Sequence, residues 1–312
     1  EMGVYTIVTD YVKDAPAKKL ADEAYDISTL DIDALIELAK EKGVDGVFTG
    51  YVDVNLAPCC QICNALNLPF YATLEQLDQT MNKVNYKANC RKYGIKVVDD
   101  VPDEYMDGVY DKVQYPVIVK PDIGVGAAKT YKLKCEEDVH AFYNDLPNIQ
   151  YIMEEFIEGT IVSFDGISGN DAEVIFATSN EFPPSIMDIV NTNDHLAYHT
   201  VKEVSPVLRD CGERVLKAFN ARNRFFHLEF FRLTEDQEGL GKAGDLVGLE
   251  VNMRPAGGYT PEMYNYSQET DVYKIWADMI AFDYNTKSIG NSHYCAFYGR
   301  RDGKQYRLDD YE

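Results

Sequence analysis

The sequence is poor in basic residues for its length and has no long apolar run. Of its 312 residues, 30 are lysine or arginine and 52 are aspartate or glutamate, so the formal net charge is −22. Such a charge repels phosphate backbones and anionic lipid, and broad binding to nucleic acid or to a membrane surface is not expected. No apolar stretch approaches the ~18 residues of a membrane span, and the N-terminus does not read as a secretory signal. We therefore expect a soluble protein, in which a compact anionic ligand can still bind in a locally basic cleft.

The seven cysteines lack the spacing of a disulfide framework. An odd number of cysteines in a chain of this size predicts reduced thiols and a cytoplasmic location. Cys59, Cys60 and Cys63 suggest a metal site by their proximity, but they lie on a predicted amphipathic helix with no second Cys or His pair nearby. We favour their burial as small hydrophobic residues.

Alternating strand and helix patterns in residues 1–80 predict a parallel α/β layer. A strand from Val4 to Thr9 is followed by "AYDIS", by the helix "DIDALIELAKEKG" that stops at Gly43, by a strand "DGVFTGY" and by the cysteine helix. The apolar residues recur at helical spacing within the helices. This alternation is typical of a parallel sheet with crossover helices, and we predict that these residues form the first domain.

The rest of the chain divides into two further predicted domains. A helix from about Asn82 to Tyr93 opens residues 81–157, where the order strand, strand, helix, strand predicts a small α+β lobe. Strands dominate residues 158–312, with helices at "VLRDCGERVLKAFNAR" and "DVYKIWADMIAFD" and a hairpin-like tail. We find no internal repeat and no low-complexity tract in the sequence.

Two strictly alternating strands carry acidic and amide side chains on one face. In "GLEVNMRP" the side chains of Glu250, Asn252 and Arg254 share a face, and Leu249 is expected on the other face. If the strand "FFHLEFF" is its neighbour, Glu229 joins them, and carboxylate and amide oxygens are ligands that Mg²⁺ accepts. An arginine at this place can contact a transferring phosphoryl group or a developing oxyanion. A solvated sheet face with ordinary surface charges is the alternative for either strand taken alone.

The segment "YPVIVKPDIGVGAAKTYKL" predicts two strands joined by a glycine-containing loop. It is not a Walker A sequence, because Ala128 stands before Lys129 where a glycine is required, and it is not a dinucleotide fingerprint, because a strand follows the loop. We interpret it as a β-hairpin flap, with Gly124 and Gly126, whose backbone N–H groups close over phosphate oxygens above Lys120. A plain glycine-rich hairpin loop is the alternative.

Two further segments are candidates for nucleotide contacts. Lys83 opens the helix of the small lobe, where a surface lysine is the default interpretation. The edge-like strand "YIMEEFIEGT" runs into Gly159, which suits a hinge whose backbone groups can pair with a purine edge.

Taken in order along the chain, these segments resemble the ATP-grasp superfamily. Asn82-Lys83, "PVIVKP" with its flap, "IMEEFIEG", "HLEF" and "EVNMRP" follow one another as they do in that superfamily, across nearly the whole chain. The sequence looks most similar to the biotin carboxylase and carbamoyl-phosphate synthetase branch and to the carboxylate–amine ligases. The resemblance implies an ATP-grasp fold of mixed α/β and α+β class, preceded by a Rossmann-like pre-ATP-grasp domain that is incomplete at its N-terminus. We expect the full-length protein to be longer at that end.

The resemblance also implies roles for individual residues. It implies ATP and Mg²⁺ (or Mn²⁺) as cofactors, with catalysis by Arg254 and Lys120. The residues expected to contact ATP are Lys83 and Lys120 at the phosphates, Gly124 and Gly126 in the flap, and Glu154, Glu155, Phe156 and Ile157 at the adenine, and those expected to hold the metal are Glu229, Glu250 and Asn252. Three features depart from the superfamily pattern: Asn82 replaces an aspartate, Ile161 stands where many relatives carry an acid for the ribose, and Ala127 and Ala128 reduce the glycine content of the flap.

The resemblance implies an ATP-dependent ligase that phosphorylates a carboxylate and transfers the acyl group to an amine. A bicarbonate-phosphorylating enzyme and a non-catalytic ATP-binding subunit remain as alternatives, and a homodimer is one assembly that the resemblance allows. The segment "SNEFPPSIMDIVNTNDHLAYHTV" is expected to frame the acceptor pocket, with His195 and His199 as loop residues. Arg224 and Arg232 are candidates for a substrate carboxylate. His227, two residues before Glu229, is either an amino-acid-ligase feature or a neutral buried support for that carboxylate.

Overall fold

The computed structural model describes residues 3–50, 52–101, 113–122, 129–144, 150–182, 195–283, 286 and 290–300. By its contacts the chain divides into two compact units, Glu1–Leu77 and Asp78–Glu312. The flap residues Gly124 and Gly126 and the last twelve residues, 301–312, lie outside the described ranges. The three-domain division drawn from the sequence stays a prediction.

The first unit contains a short parallel strand pair and two helices. These elements are β1 (Ile7–Thr9), β2 (Glu23–Tyr25), α1 (Ile32–Lys42) and α2 (Leu56–Leu66). Helix α1 begins where the Asp31 side chain accepts a hydrogen bond from the N–H of Ala34, and it ends at Gly43, whose φ of 62° closes the helix in the left-handed region.

One strand expected in this unit is absent from the described residues, and another is shorter than expected. The segment Asp45–Gly50 has no strand pairing, and the strand expected over Val4–Thr9 is confined to Ile7–Thr9. The carbonyl of Val47 instead accepts a hydrogen bond from the thiol of Cys59 at 3.6 Å. The segment is not buried as a strand of a sheet would be, and Phe48 is 62% exposed. The three cysteines of that helix are buried, as expected.

The second unit begins with a small lobe built on a three-stranded sheet. Its elements are α3 (Leu74–Met81, which crosses from the first unit), α4 (Lys83–Lys92), β3 (Val117–Pro121), β4 (Tyr131–Leu133), α5 (Glu136–Asn144) and β5 (Tyr151–Glu155). The sheet order is β4-β3-β5 with antiparallel pairs. Val117, Val119 and Met153 on the strands and Val139 on α5 are buried together, so α5 covers one face of this sheet.

A seven-stranded antiparallel sheet follows in the described part of the chain. Its elements are β6 (Gly159–Ser168), β7 (Val174–Thr178), β8 (Asn180–Phe182), β9 (Leu196–Thr200), α6 (Pro206–Ala218), β10 (Arg224–Leu233), β11 (Leu246–Asn252), α7 (Thr260–Gln268), α8 (Val272–Phe282) and β12 (Ala296–Gly299). The strand order is β11-β10-β6-β8-β9-β12, with β7 paired to β6.

Strict alternation gives the two faces of this sheet different characters. On one face Phe164, Phe226, Leu228 and Phe230 are buried to within 1% exposure, and helix α6 lies so close that a side chain on Gly212 would overlap the Phe164 ring. That face is an apolar core. The opposite face carries polar side chains of β6, β10 and β11 and is left for the site.

The sheet corrects the expectation that His199 is a loop residue, and it gives the pairing of the described part of the tail. The segment expected to frame an acceptor pocket contains strands β8 and β9, so His199 lies in a strand rather than in a loop. The hairpin-like tail contributes β12, but its partner is β9, because Ala296 pairs with His199 and Gly299 with Leu196. None of the helices in the described ranges is both long and apolar enough to cross a bilayer.

A substitution at Gly166 tests how closely β6 and β7 approach each other. A methyl group at this position would overlap the carbonyl oxygen of Phe176 and lie 2.8 Å from the ring of Phe226. We expect Gly166→Ala to lower the free energy of unfolding by about 3 kcal/mol, because backbone must move to relieve the overlap. Gly257→Ala is the control, since its methyl group would meet no atom within 4 Å. Equal stability of the two variants in chemical denaturation would contradict the described register.

Candidate functional site

Strands β10 and β11 bring the two candidate carboxylates directly opposite each other. Glu229 pairs with Glu250, and His227 pairs with Asn252, in the antiparallel register of the two strands. Because paired residues of an antiparallel sheet point to the same face, Glu229, Glu250 and Asn252 share one face. The arrangement on which the metal prediction depends is therefore present, while the role of these residues as metal ligands stays a prediction.

A β-bulge in β11 changes the expected alternation next to this pair. Phe230 pairs with Gly248 while Glu229 pairs with Glu250, so Leu249 has no partner on β10. On its outer side Gly248 donates its N–H to the carbonyl of Lys96 at 2.8 Å. Leu249 was expected on the face opposite Glu250, but the extra residue turns its side chain into the same cleft. The expectation for Leu249 was wrong because a regular period of two does not survive a bulge.

The carboxylate pair places two like charges opposite each other. Burial, and then the negative charge of Glu229, raise the pKa of Glu250, while Lys83 opposes the shift. Two carboxylates and an amide oxygen fit the oxygen-ligand chemistry of Mg²⁺. The Nδ2 atom of Asn252 is buried without a hydrogen-bond partner among the described residues. Within those residues no group of three or more His, Cys, Asp or Glu side chains could hold a metal ion, so this candidate set depends on the amide of Asn252.

His227 lies between two carboxylates and is charged rather than neutral. Its Nδ1 is 2.5 Å from Asp165 Oδ1, and its Nε2 is 3.1 Å from Glu229 Oε1. Burial lowers the pKa of His227, but the two carboxylates outweigh burial and raise it to about 10. The ring therefore donates from both nitrogens at neutral pH and fixes the orientation of Glu229. One interpretation from the sequence was a neutral histidine that supports Glu229. The charge in that interpretation is wrong, because the contact of His227 with Asp165 could not be recognised from the sequence.

Behind His227 lies a buried polar network that sequence reasoning missed. Asp165 is fully buried, and it accepts hydrogen bonds from Ser163 Oγ and from Asn180 Nδ2, the latter at 2.9 Å. Asn180 Nδ2 also donates to the hydroxyl of Tyr264 at 3.0 Å. The alternation of "VSFDG" put Ser163 and Asp165 on one face, which was the available signal. These buried hydrogen bonds favour one arrangement of the strands, although Asn180 Oδ1 has no hydrogen-bond partner among the described residues.

Glu154 carries the second charged cluster of the site. Lys120 Nζ is 2.6 Å from Glu154 Oε2, and the ammonium of Lys87 contacts both Glu154 and Asp100. Burial acts to raise the pKa of Glu154, but the two lysines outweigh burial and lower it. Sequence reasoning missed Lys87, although it stands four residues after Lys83 on the same helix and so shares its face. Because the Glu154 carboxylate is engaged with lysines, a contact with the exocyclic amine of adenine stays a prediction.

Asn82 fixes the position of Lys83 relative to the small sheet. Its side chain accepts from the N–H of Asn85 and donates to Asp122 Oδ2, each at 2.9 Å. Lys83 Nζ donates to the backbone carbonyl of Asp122 at 3.3 Å. Burial lowers the pKa of Lys83, the negative charge of Glu250 opposes this, and the positive charge of Lys120 adds to it. An amide at position 82 therefore anchors the lysine by a donor that an aspartate would lack.

These groups line one cleft of about 670 Å³, a size typical of small-molecule sites. The expected site residues that line it are Lys83, Lys120, Glu154, Glu155, Phe156, Ile157, Glu229, Glu250, Asn252 and Arg254. Arg254 donates to the carbonyl of Pro255 at 2.9 Å and reaches Asn252 Oδ1 at 3.4 Å. Burial, and then Asp99, raise the pKa of Glu155 in the hinge segment.

The other candidates are not brought to this cleft as the structure describes it. Arg232 is paired with Glu181 at 2.8 Å, and Arg224 is buried with its Nε donating to the carbonyl of Arg222 at 3.3 Å. His195 and His199 do not line the cleft either, and Gly124 and Gly126 lie outside the described residues.

Comparison with known proteins finds an ATP-grasp domain in this part of the chain. Residues 82–198 match the sequence model of an ATP-grasp domain. Pyruvate carboxylase of Bacillus subtilis (strain 168) is 27% identical over 163 residues, which are 46% of this chain and 14% of that protein. The chain thus matches only a small part of the length of this relative.

Solved structures share the fold over most of the chain. The biotin carboxylase domain of Hydrogenobacter thermophilus 2-oxoglutarate carboxylase, a dimer in complex with MgADP, ADP and bicarbonate, has a TM-score of 0.71 and 18% identity, covering 95% of this chain and 69% of that one. L-amino acid ligase from Bacillus licheniformis has a TM-score of 0.70 and 15% identity, covering 89% and 68%. The fold is therefore the ATP-grasp fold. The sequence resemblance implied this fold, and residues 82–198 contain an ATP-grasp domain.

The buried cluster around Glu154 yields a stability prediction. Lys87→Met keeps most of the side-chain volume but removes one of the two cations that hold a buried carboxylate. We expect the free energy of unfolding to fall by about 3 kcal/mol, the usual cost of leaving a buried charge undercompensated. Lys92→Met, on the exposed side of the same helix, is the matched control. Indistinguishable urea midpoints for the two variants would show that the Lys87 ion pair contributes nothing.

Proposed function

We propose that this protein is an ATP- and Mg²⁺-dependent ligase that activates a carboxylate as an acyl phosphate for attack by an amine. One observation carries the proposal: two lysines from the small lobe and two carboxylates, an amide and an arginine from the large sheet line a single cleft. Cations for phosphate oxygens and oxygen ligands for a divalent metal are the two requirements of phosphoryl transfer.

In this proposal ATP lies between the small sheet and the large one. Backbone groups of the hinge residues Glu154, Glu155, Phe156 and Ile157 pair with the adenine, and Lys83 and Lys120 contact phosphate oxygens as point charges. The loop that contains Gly124 and Gly126 supplies backbone N–H groups to the same phosphates. Lys120 is already positioned by Glu154, which fixes its ammonium at the base of that loop.

Glu229, Glu250 and Asn252 are the proposed ligands of one or two Mg²⁺ (or Mn²⁺) ions. The pairing of Glu250 with Glu229 supports this assignment: burial, and then the negative charge of Glu229, raise the pKa of Glu250, and a divalent cation would relieve the repulsion between the two carboxylates. When bound, the metal neutralises charge on the phosphate oxygens. His227 holds Glu229 in one orientation and offsets part of the negative charge of the pair.

The proposed reaction has two steps. A carboxylate oxygen of the first substrate attacks the γ-phosphorus of ATP, the bond from that phosphorus to the β–γ bridging oxygen breaks, and ADP leaves. The amine of the second substrate then attacks the acyl carbon, the bond to the phosphate oxygen breaks, and inorganic phosphate leaves while the new amide loses a proton to water. Arg254 and Lys120 stabilise the negative charge that develops in these steps.

The residues around the arginine favour the amine-acceptor reaction over the alternatives. L-amino acid ligase from Bacillus licheniformis shares the fold, and this chain follows Arg254 with Pro255, Ala256 and two glycines. Biotin carboxylase from Campylobacter jejuni also shares the fold, so a bicarbonate-phosphorylating enzyme is the second candidate. A homodimer and a cytoplasmic location belong to the proposal, the former because one neighbour is a dimer.

The reaction class is tested by measuring ADP release from ATP and Mg²⁺ with a panel of acceptors. We expect release to depend on adding an amino acid as carboxylate donor together with a second amino acid as amine, and to yield the coupled amide by mass spectrometry. Release that depends on bicarbonate instead would favour the second candidate. Tight ATP binding without release under any condition would leave a non-catalytic nucleotide-binding subunit and would refute the ligase proposal.

The metal assignment is tested by Glu250→Gln, which preserves shape and removes charge. We expect Mg²⁺-dependent ADP release to fall about 100-fold or more, because a neutral amide is a weaker ligand and no longer balances the cation. Calorimetric titration of Mg²⁺ into the variant with a non-hydrolysable ATP analogue bound should show weakened metal binding. Glu213→Gln, which removes a surface carboxylate of α6, is the control. Normal turnover by Glu250→Gln would eliminate Glu250 as a metal ligand.

A further inference from the structure

An apolar row crosses the floor of the cleft beyond the residues that the proposed reaction uses. Phe231 pairs with Ile161, and Ile161 pairs with Phe182. The register of β8 and β9 continues from Glu181 opposite His199, which brings Phe182 beside Tyr198, and Tyr198 pairs with Phe297. We call Phe182, Tyr198 and Phe297 the aromatic row.

The rings of the aromatic row form one continuous surface. The ring centroids of Phe182 and Tyr198 are 5.3 Å apart, and those of Tyr198 and Phe297 are 5.2 Å apart. All three residues line the same cleft as Glu229, Glu250 and Arg254. They also pack against Met263 of α7, as core residues would, but Phe297 stays partly exposed at the cleft. The three rings thus belong to the core and also form one wall of the cleft, where a ligand can contact them.

The aromatic row lies away from the proposed nucleotide position. Adenine is assigned to the hinge after β5, near Phe231 on β10, and Tyr198 is three strands further along the sheet, roughly 14 Å at ~4.8 Å per strand. The adenine ring is too small to cover both ends of this row. The aromatic row is therefore available to the substrate that reacts with ATP rather than to ATP itself.

The turn after Arg254 connects the arginine to the aromatic row and leaves room beside it. A side chain on Gly257 would meet no atom within 4 Å, so the backbone there faces open space. Shortly afterwards Thr260 opens α7, and its hydroxyl is 2.9 Å from the hydroxyl of Tyr198. A guanidinium at one end and an apolar wall at the other complement a small molecule with a carboxylate and an apolar side chain.

We propose that the substrate of this site is an amino acid or a related small carboxylic acid with an apolar or aromatic side chain, which lies on the aromatic row with its carboxylate toward Arg254. The inference rests on the proposed ligase function and narrows its substrate class. Charge around the row supports it, because Arg232 and Glu181 alternate with Phe231 and Phe182, point to the opposite face of the sheet and pair with each other at 2.8 Å. A charged substrate side chain would find no partner there among the described residues and would lose its hydration.

The test uses the 312-residue chain and four probes: L-phenylalanine, L-leucine, L-aspartate and L-lysine. We expect ADP release to show a lower KM for phenylalanine and leucine than for aspartate and lysine. Tyr198→Ala and Phe297→Ala should raise the KM for phenylalanine about tenfold or more while leaving the KM for ATP unchanged. Tyr198→Phe, which keeps the ring and loses only the hydroxyl bond to Thr260, should retain the preference.

Tyr298→Ala is the matched control, because Tyr298 stands next to Phe297 on the same strand and is 59% exposed. It should leave both KM values unchanged. Circular dichroism melting separates a binding defect from loss of the fold, and Phe297→Ala, on the edge strand β12, provides a second variant if Tyr198→Ala does not fold. A preference for aspartate or lysine, or an unchanged phenylalanine KM in the folded alanine variants, would overturn the inference.

Failure of the ligase proposal and failure of this inference give different results. If ATP binds but no acceptor stimulates ADP release, the ligase proposal fails, and calorimetric titration with the same four probes then decides the inference. Binding of phenylalanine that weakens in Tyr198→Ala and persists in Tyr298→Ala would support an apolar ligand site. Absence of phenylalanine binding, or equal binding of lysine and aspartate, would overturn it.

Discussion

The structure of this cleft depends on the repulsion between two carboxylates that face each other across β10 and β11. Glu229 and Glu250 are paired in register and partly withdrawn from water, so their charges must be offset by neighbours. Lys83 on α4 and His227 on β10 each contribute positive charge to the pair. The cleft therefore joins the small lobe to the large sheet by electrostatics as well as by chain connectivity. In the proposed function a divalent cation offsets the remaining charge of the pair.

His227 shows how burial and charge combine at this site. An isolated buried imidazole would stay neutral, yet two carboxylates, one of them fully buried, hold the proton on the ring. The network of Ser163, Asp165 and Asn180 in turn holds the carboxylate behind the ring in one place. Asp165 of β6 thus orients a residue on β10 although Asp165 does not line the cleft itself. Polar groups deep in the sheet serve the geometry of its surface.

Much of the fold could be predicted from the sequence because periodicity reports which face of an element is buried. The alternation in β10 placed Glu229 and His227 on one face and Phe226 on the other, and the structure agrees. The pairing of β12 with β9 could not be predicted, because strand neighbours distant in sequence are chosen by tertiary packing. The prediction for the face of Leu249 was wrong for a local reason, because a bulge shifts the alternation by one residue. Lys87 was not recognised in the sequence, because a buried lysine cannot be told from a surface lysine until its carboxylate partners are known.

Asn82 has a consequence for the robustness of the small lobe. Its amide caps α4 and also donates to Asp122, so one uncharged group holds both the helix start and the end of β3. An aspartate in the same position could serve the helix but would face a second carboxylate, and its hold on the strand would vary with protonation. An amide has no charge to titrate, so this contact beside Lys83, at the start of α4, does not vary with the protonation of residue 82. The hydrogen bonds of Asn82 that position Lys83 therefore depend less on pH than an ion pair at the same place would.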